Sequence, residues 1–440
     1  MANNFTQRIT GSQNLQRRDL LADAMSPEEL IQKKNLQVQE QNAVKSEAIP
    51  IETPFSAKLE QKFARELAIL YVEAQDNLYR VRAHHAEQQT LETKFNSPPV
   101  LSYSKHMNKP NSHLPDIIIG NMRGFSENKA EARQIRGWLI RLRKTLKEKF
   151  QQDLSCLIIN DRTDFEIPWE MMDLSTNEHL GASIPTVRWQ DIPDPDNLDE
   201  ADRLIPINPH RQECCGEIIA YATTKELTHV REEVKIINQF KANLFEEICE
   251  FSSYLPQVQH DVALMYIASH GFFGDDISDV TFGEERKFFN IGKETRTSLM
   301  QLRYWNFSFL KTCDTVVFMN ACHSGRLRRD YEFQTSEFYM GFPTFFLKKG
   351  ARGVIGTLEK VNDKYAAQIA HNFFQEYRSN PELSVPEILR NLRSQAAKKL
   401  QSGVTKPENW NLFFYTFMYV YYGNPMTVLR LTPSGGKPHV

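Results

Sequence analysis

Cysteine is scarce in this chain: six residues in 440 (Cys156, Cys214, Cys215, Cys249, Cys313 and Cys322), none in a C-x-x-C pair. The adjacent Cys214 and Cys215 are poor partners for each other and lack the companion spacing of a zinc site, so neither a disulfide framework nor a structural metal is expected. A reducing compartment suits it, and a cytoplasmic location is expected. An excess of one charge sign is also missing. With 53 Lys+Arg against 55 Asp+Glu the formal net charge is −2 and the pI near 6.7, which leaves no electrostatic footprint for direct nucleic-acid binding. Long hydrophobic runs are absent as well. The longest apolar aromatic stretch, 412–422, falls short of the ~20 residues a membrane helix needs and reads as a buried strand. The first residues, Met-Ala-Asn-Asn-Phe-Thr-Gln-Arg, have no apolar core of a signal peptide, so no membrane association is expected. No G-x-S-x-G and no P-loop string occurs, and Gly350, Gly353 and Gly356 lack the G-x-G-x-x-G spacing, which argues against an α/β hydrolase or a nucleotide-binding module. No cofactor is expected.

What the chain does have is a regular alternation of strand-like and helix-like stretches behind a polar start. Its 41% hydrophobic residues suffice for a core, and its length leaves room for two or three domains. Residues 1–52, rich in Gln, Asn and charge, are expected to be a disordered or partner-dependent tail. In 53–110, Leu59, Phe63, Leu67, Leu70, Ala74, Leu78 and Val81 recur at spacings of four and three, which predicts an amphipathic helix followed by a Pro-marked linker. The apolar stripe of that helix fits packing on the chain's own core, or docking of a regulatory protein. No repeat of about 34 residues accompanies it.

Residues 114–120 read as a strand, 129–150 as a helix and 153–160 as a second strand, a βαβ pattern that makes 111–210 one α/β half. Trp169 and Glu170, just beyond, are expected to pack between layers and to cap or pair. Prolines from Pro193 to Pro209 mark a break. A second half, 211–432, then shows a strand at 216–223, a helix at 224–240, strands ending at His270 and Asn320, a helix at 336–349, a strand at 352–356 and helices at 363–377 and 385–400. Residues 433–440 form a short tail.

The chemistry concentrates in that second half. Asp261-Val-Ala-Leu-Met-Tyr-Ile-Ala-Ser-His270-Gly271 and Asp314-Thr-Val-Val-Phe-Met-Asn-Ala-Cys322-His-Ser-Gly325 both look like buried parallel strands, each ending on a reactive side chain followed by small residues. Reactive groups in open α/β sheets gather at the carboxyl ends of the strands, so the two side chains are expected at one sheet edge. An imidazole beside a thiol favours the thiolate and can protonate a leaving amine. The 52 positions between them (322 − 270) match the roughly 50-residue His-to-Cys spacing of caspases. Gly271 lacks a Cβ, so its N–H can approach a developing oxyanion, with the Cys322 N–H as second donor. The 271–305 stretch, polar and long, is expected to form a lid or binding loop. Arg326, Arg328 and Arg329 are read as steering an acidic substrate, tying down a regulatory loop, or forming a solvated turn, and His323 as a neighbour pointing away.

These strings resemble the CHAT family of caspase-like peptidases, in the clan of caspases, metacaspases, gingipains and separase. Phe165-Glu-Ile-Pro-Trp-Glu170 is similar to the family's Leu-Pro-Trp-Glu segment. The run from Gly341 through Gly350, Gly353 and Gly356 to Thr357 resembles the segment after the nucleophile, and Val361-Asn-Asp-Lys-Tyr-Ala-Ala367 and Tyr422-Gly-Asn-Pro425 fit too. The resemblance covers roughly residues 112–432. It implies caspase-like sheets with flanking helices, a silent half joined to an active half, preceded here by a helical N-terminal extension. It also implies a cysteine endopeptidase acting on a protein substrate, with His270 as general acid/base and Cys322 as nucleophile, activated by a partner or signal in bacterial antiviral defence or regulated cell death. The alternative is a non-catalytic scaffold or adaptor. Metacaspase-like relatives carry Ser-Gly-His-Gly and Asp-Ala-Cys where this chain has Ala268-Ser269-His270-Gly271 and Asn320-Ala321-Cys322. Ala268 and Asn320 are therefore substrate-pocket candidates lacking one hydroxyl and one charge, with Asp261, or the acidic stretch Asp275, Asp276 and Asp279, as another source of a carboxylate.

Overall fold

The computed structural model describes residues 65–75, 78–95, 114–163, 167–190, 192, 207–274, 277–284, 295–329, 339–401 and 407–434. The tail expected at 1–52 lies outside these residues, as do most of 433–440. Three antiparallel strands come first: β1 (Leu67–Gln75), β2 (Leu78–His85) and β3 (Gln88–Phe95). Helices α1 (Leu114–Asn128) and α2 (Ala130–Phe150) follow, then β4 (Cys156–Arg162) and β5 (Thr186–Arg188). The rest of the chain supplies β6 (Gln212–Ala222), α3 (Val230–Ile237), β7 (Ala242–Phe245), β8 (Val262–Ala268), β9 (Val316–Asn320), α4 (Phe342–Lys348), β10 (Gly353–Thr357), α5 (Asp363–Ser379), α6 (Val385–Gln401), α7 (Pro407–Met418), β11 (Tyr419–Gly423) and β12 (Thr427–Leu431).

All of these strands join one 12-stranded mixed sheet in the order β12-β6-β8-β9-β10-β11-β5-β4-β1-β2-β3, with β7 also paired to β6. Strands β6, β8, β9 and β10 run parallel, and β11 returns antiparallel to β10. Every residue of β8 and of β9 is buried, because helices cover both faces of a parallel sheet and demand an unbroken apolar run rather than alternation. The two expected halves therefore share a sheet: β11 pairs in parallel with β5 at Tyr422 and Arg188, and β5 continues into β4 and β1.

Three sequence-based expectations are corrected. The helix expected across 59–81 is β1 and β2 over its described part. Residues 67–72 are all buried, so the three-and-four spacing was one reading of a continuous apolar run that fits a strand inserted beside β4. In β2 the true period is two, with Val81 and Ala83 buried and Arg80 and Arg82 half-buried. The strand expected at 114–120 is the start of α1, whose buried Ile118, Ile119, Met122 and Phe125 recur at helical spacing while Asp116, Ile117 and Gly120 face out. Finally, 412–418 is helical, within α7, and the chain becomes strand only at Tyr419.

Candidate active site

In the β8–β9 pairing Ala268 lies opposite Asn320, so His270 and Cys322, each two positions further on, leave the sheet side by side at its carboxyl edge. His270 opens a short strand, His270–Phe272, in a small antiparallel sheet with Thr281–Gly283 and Arg296–Ser298. This sheet occupies the stretch expected to be a lid or loop. His270 and Cys322 line one cleft of about 420 Å³, together with Gly271, Asp279, Arg296, His323 and Lys360. A Cβ on Gly271 would stand 2.0 Å from the Cys322 carbonyl oxygen, so only glycine permits this approach.

Cys322 is half-buried, and burial pushes its thiol above the ordinary range. The Val361 amide, the Lys360 ammonium and the Gly271 amide pull the other way, and the Glu359 carboxylate adds to the rise. The Val361 N–H donates to the sulfur at 3.4 Å, and the thiol in turn donates to the Val361 carbonyl at 3.6 Å. His270 Nε2 lies 3.6 Å from Glu226 Oε2. Sequence reasoning missed Glu226. It follows β6, whose Ala222 pairs with Ala268, so it emerges at the same carboxyl edge as His270. His323 borders the cleft from a left-handed backbone position (φ 59°). Burial, with the Arg326 and Lys360 charges, pushes its imidazole down to about 3, so it stays neutral.

The turn that carries Cys322 is tied to the neighbouring strands. Thr357 Oγ1 donates to the Ala321 carbonyl at 2.7 Å, Ser324 Oγ donates to Met319 O at 2.9 Å, and Tyr422 Oη donates to Gly325 O at 3.1 Å. A Cβ on Gly356 would come within 2.7 Å of the Gly325 nitrogen, which accounts for the small residues in both segments.

The expected pocket residues lie elsewhere. Asp261 is exposed at the opposite end of β8 from His270, because it precedes the strand and His270 follows it. Ala268 is fully buried in the sheet. Asn320 turns its amide into the layer beneath, donating to Glu233 Oε2 at 2.9 Å and Tyr266 Oη at 3.1 Å and accepting from Tyr419 Oη. The carboxylate that does line the cleft is Asp279, packed where a Cβ on Gly274 would meet it at 2.3 Å. Asp275 and Asp276 lie outside the described residues. Arg326 and Arg328 stack over Phe273, and the Arg329 side chain is outside the described set.

Trp169 and Glu170 serve the core. Trp169 Nε1 donates to Asp161 Oδ2 at 2.8 Å, and Glu170 accepts from Arg188 at 3.0 and 2.7 Å. Burial opposes the Glu170 charge, but the Arg188 guanidinium outweighs it and holds the carboxyl below its ordinary range. Among the described residues no His, Cys, Asp and Glu cluster has the arrangement of a metal site, and no helix is long and apolar enough to cross a membrane.

Among solved structures, the chain is similar to the Saccharomyces cerevisiae separase–securin complex, at 12% identity and a TM-score of 0.44 over 84% of this chain and 31% of that one. It thus spans about a third of the separase chain. It is also similar to the Arg-specific cysteine proteinase gingipain R, at 12% identity and a TM-score of 0.40 over 72% of this chain and 75% of that one. No curated protein sequence matches it. The family model of the CHAT domain matches residues 129–418, which span the candidate site and most of both halves, and the chain belongs to the CHAT domain family.

Proposed function

We propose that this protein is a cysteine endopeptidase with Cys322 as nucleophile and His270 as general acid/base. The observation that carries the reading is the juxtaposition of His270, Gly271 and Cys322 at the ends of two paired strands, facing one cleft. In the reaction His270 takes the thiol proton, the Cys322 sulfur attacks the scissile carbonyl, and the Gly271 and Cys322 amides hold the oxyanion. The imidazolium then protonates the leaving amine, and water, deprotonated by His270, releases the acyl group. Glu226 orients the imidazole and stabilises its charged form.

At rest the thiol exchanges hydrogen bonds with the Val361 backbone, and burial keeps it protonated, so productive attack requires the sulfur to leave those bonds and give up its proton. That requirement supports activation by a partner or signal. The defence or cell-death setting and the cytoplasmic location rest on the family resemblance and on the sparse cysteines.

The test is digestion of a proteome-derived peptide library by the wild type and by Cys322→Ala, with and without cell extract as a source of activator. Cuts that vanish in the variant are expected. A folded wild type that cuts nothing in either condition would leave the fold serving as a scaffold.

A further inference from the structure

The strand that carries His270 and Gly271 is gripped from two sides. Phe272 stands beside His270, with ring centroids 6.3 Å apart, and the Arg296 guanidinium lies 3.6 Å over its ring. Arg296 is itself fixed, donating from Nε and Nη2 to the Glu284 carbonyl at 3.2 and 3.1 Å. Phe273, the next residue, carries Arg326 and Arg328 over its ring at 4.7 and 5.1 Å. Arg326 is buried, and its N–H donates to the His323 carbonyl at 3.1 Å, so it belongs to the turn that begins at Cys322. Cations over aromatic faces are attracted by the ring quadrupole, more strongly where water is excluded. Gly271, immediately before these rings, has no side chain of its own to hold it, yet an oxyanion donor acts only when its N–H is aimed within a few tenths of an ångström.

We propose that Phe272 and Phe273 are positioning residues, clamped by Arg296 on one side and by Arg326 with Arg328 on the other, which fix the Gly271 amide against Cys322. The proposal rests on the peptidase reading. It makes the turn after the nucleophile and the strand after the histidine a single rigid unit, so the two oxyanion donors keep their separation.

Two small reagents separate this role from thiol reactivity, and neither requires a known substrate. Acylation of Cys322 by p-nitrophenyl acetate passes the thiol proton to His270, joins Sγ to the acetyl carbon, places negative charge on the carbonyl oxygen and, as that charge collapses, breaks the ester C–O bond and expels p-nitrophenolate. Alkylation by iodoacetamide displaces iodide from a saturated carbon and forms no oxyanion. Both rates are read on the full chain as mass added at Cys322, with Cys322→Ala as the blank. Phe273→Ala is expected to slow acylation at least ~10-fold, a fraction of the loss from deleting an oxyanion donor, while alkylation stays within about twofold. Phe273→Tyr keeps a ring under the guanidiniums and should restore acylation, and Arg328→Met should fall between. If Phe273→Ala and Arg328→Met slow both reactions equally, or slow neither, the positioning role is overturned and the peptidase reading stands. A wild-type Cys322 that acylates no faster than the exposed Cys215 even with cell extract present as a source of activator overturns both.

Discussion

At Cys322 burial outweighs the nearby cation and amides, so the resting side chain is a thiol at neutral pH. Iodoacetamide labelling of the resting protein should therefore keep rising past the ordinary cysteine range near 8.5, and Lys360→Met should move the curve to still higher pH. A plateau reached below pH 8 would contradict this account. His270 must then supply the base, and its partner is Glu226. Glu226→Gln keeps the shape but removes the charge that favours imidazolium. It should cost at least ~10-fold in kcat/KM on any peptide the wild type cuts, with KM little changed. Equal kcat/KM in the two proteins would remove Glu226 from the mechanism.

The element most exposed to pH is α3, whose Glu233 is buried against β8 and β9 and accepts from Tyr266 Oη and Asn320 Nδ2. Burial, with the Asp363 charge, pushes its carboxyl up to about 7 from an ordinary value near 4.5, despite those two donors. A raised value means that the fold favours the neutral acid, so its contribution is complete below the ordinary value and is lost as pH rises through about 7. Urea midpoints should fall between pH 5 and pH 8 in the wild type and fall less in Glu233→Gln; identical slopes would refute the assignment. The same elements show what was legible in the sequence. Strands β8, β9 and β10 and helices α5 and α6 could be read because long apolar runs and helical periods left one interpretation each. Residues 67–72 and 114–120 could not, since short apolar runs, 67–72 in one and Ile117 to Ile119 in the other, suit either a strand or a buried helix. That His270 and Cys322 reach one sheet edge was legible from the strand ends; that their strands are neighbours was not, because it depends on strand order. Glu226 and the inward turn of Asn320 were not, because both depend on strand order and on which layer a side chain enters.

Across the whole molecule the two halves meet at the β5–β11 seam, and α6 fastens it. Arg393, fully buried, donates to Thr186 Oγ1 at 2.9 Å on one side and to the Tyr419 carbonyl at 2.6 Å on the other. Burial pushes its guanidinium down to about 10. Arg393→Met removes the donor that these two acceptors share and should cost about 1–3 kcal/mol in denaturant unfolding. An unchanged midpoint would mean that the seam holds without it. The hydroxyl of the same Tyr419 donates to Asn320, two positions before Cys322, so the seam and the nucleophile strand share a side chain. His179 of the first half also packs on Phe413 and Phe417 of α7. The peptide link between Ile192 and Ile207 thus joins parts that hydrogen bonds and ring contacts already hold together. If that link were cut, the fragments would remain a non-covalent pair, with β5 still zipped to β11 and the cleft still assembled, so intact mass and quaternary mass would part company while the site survived.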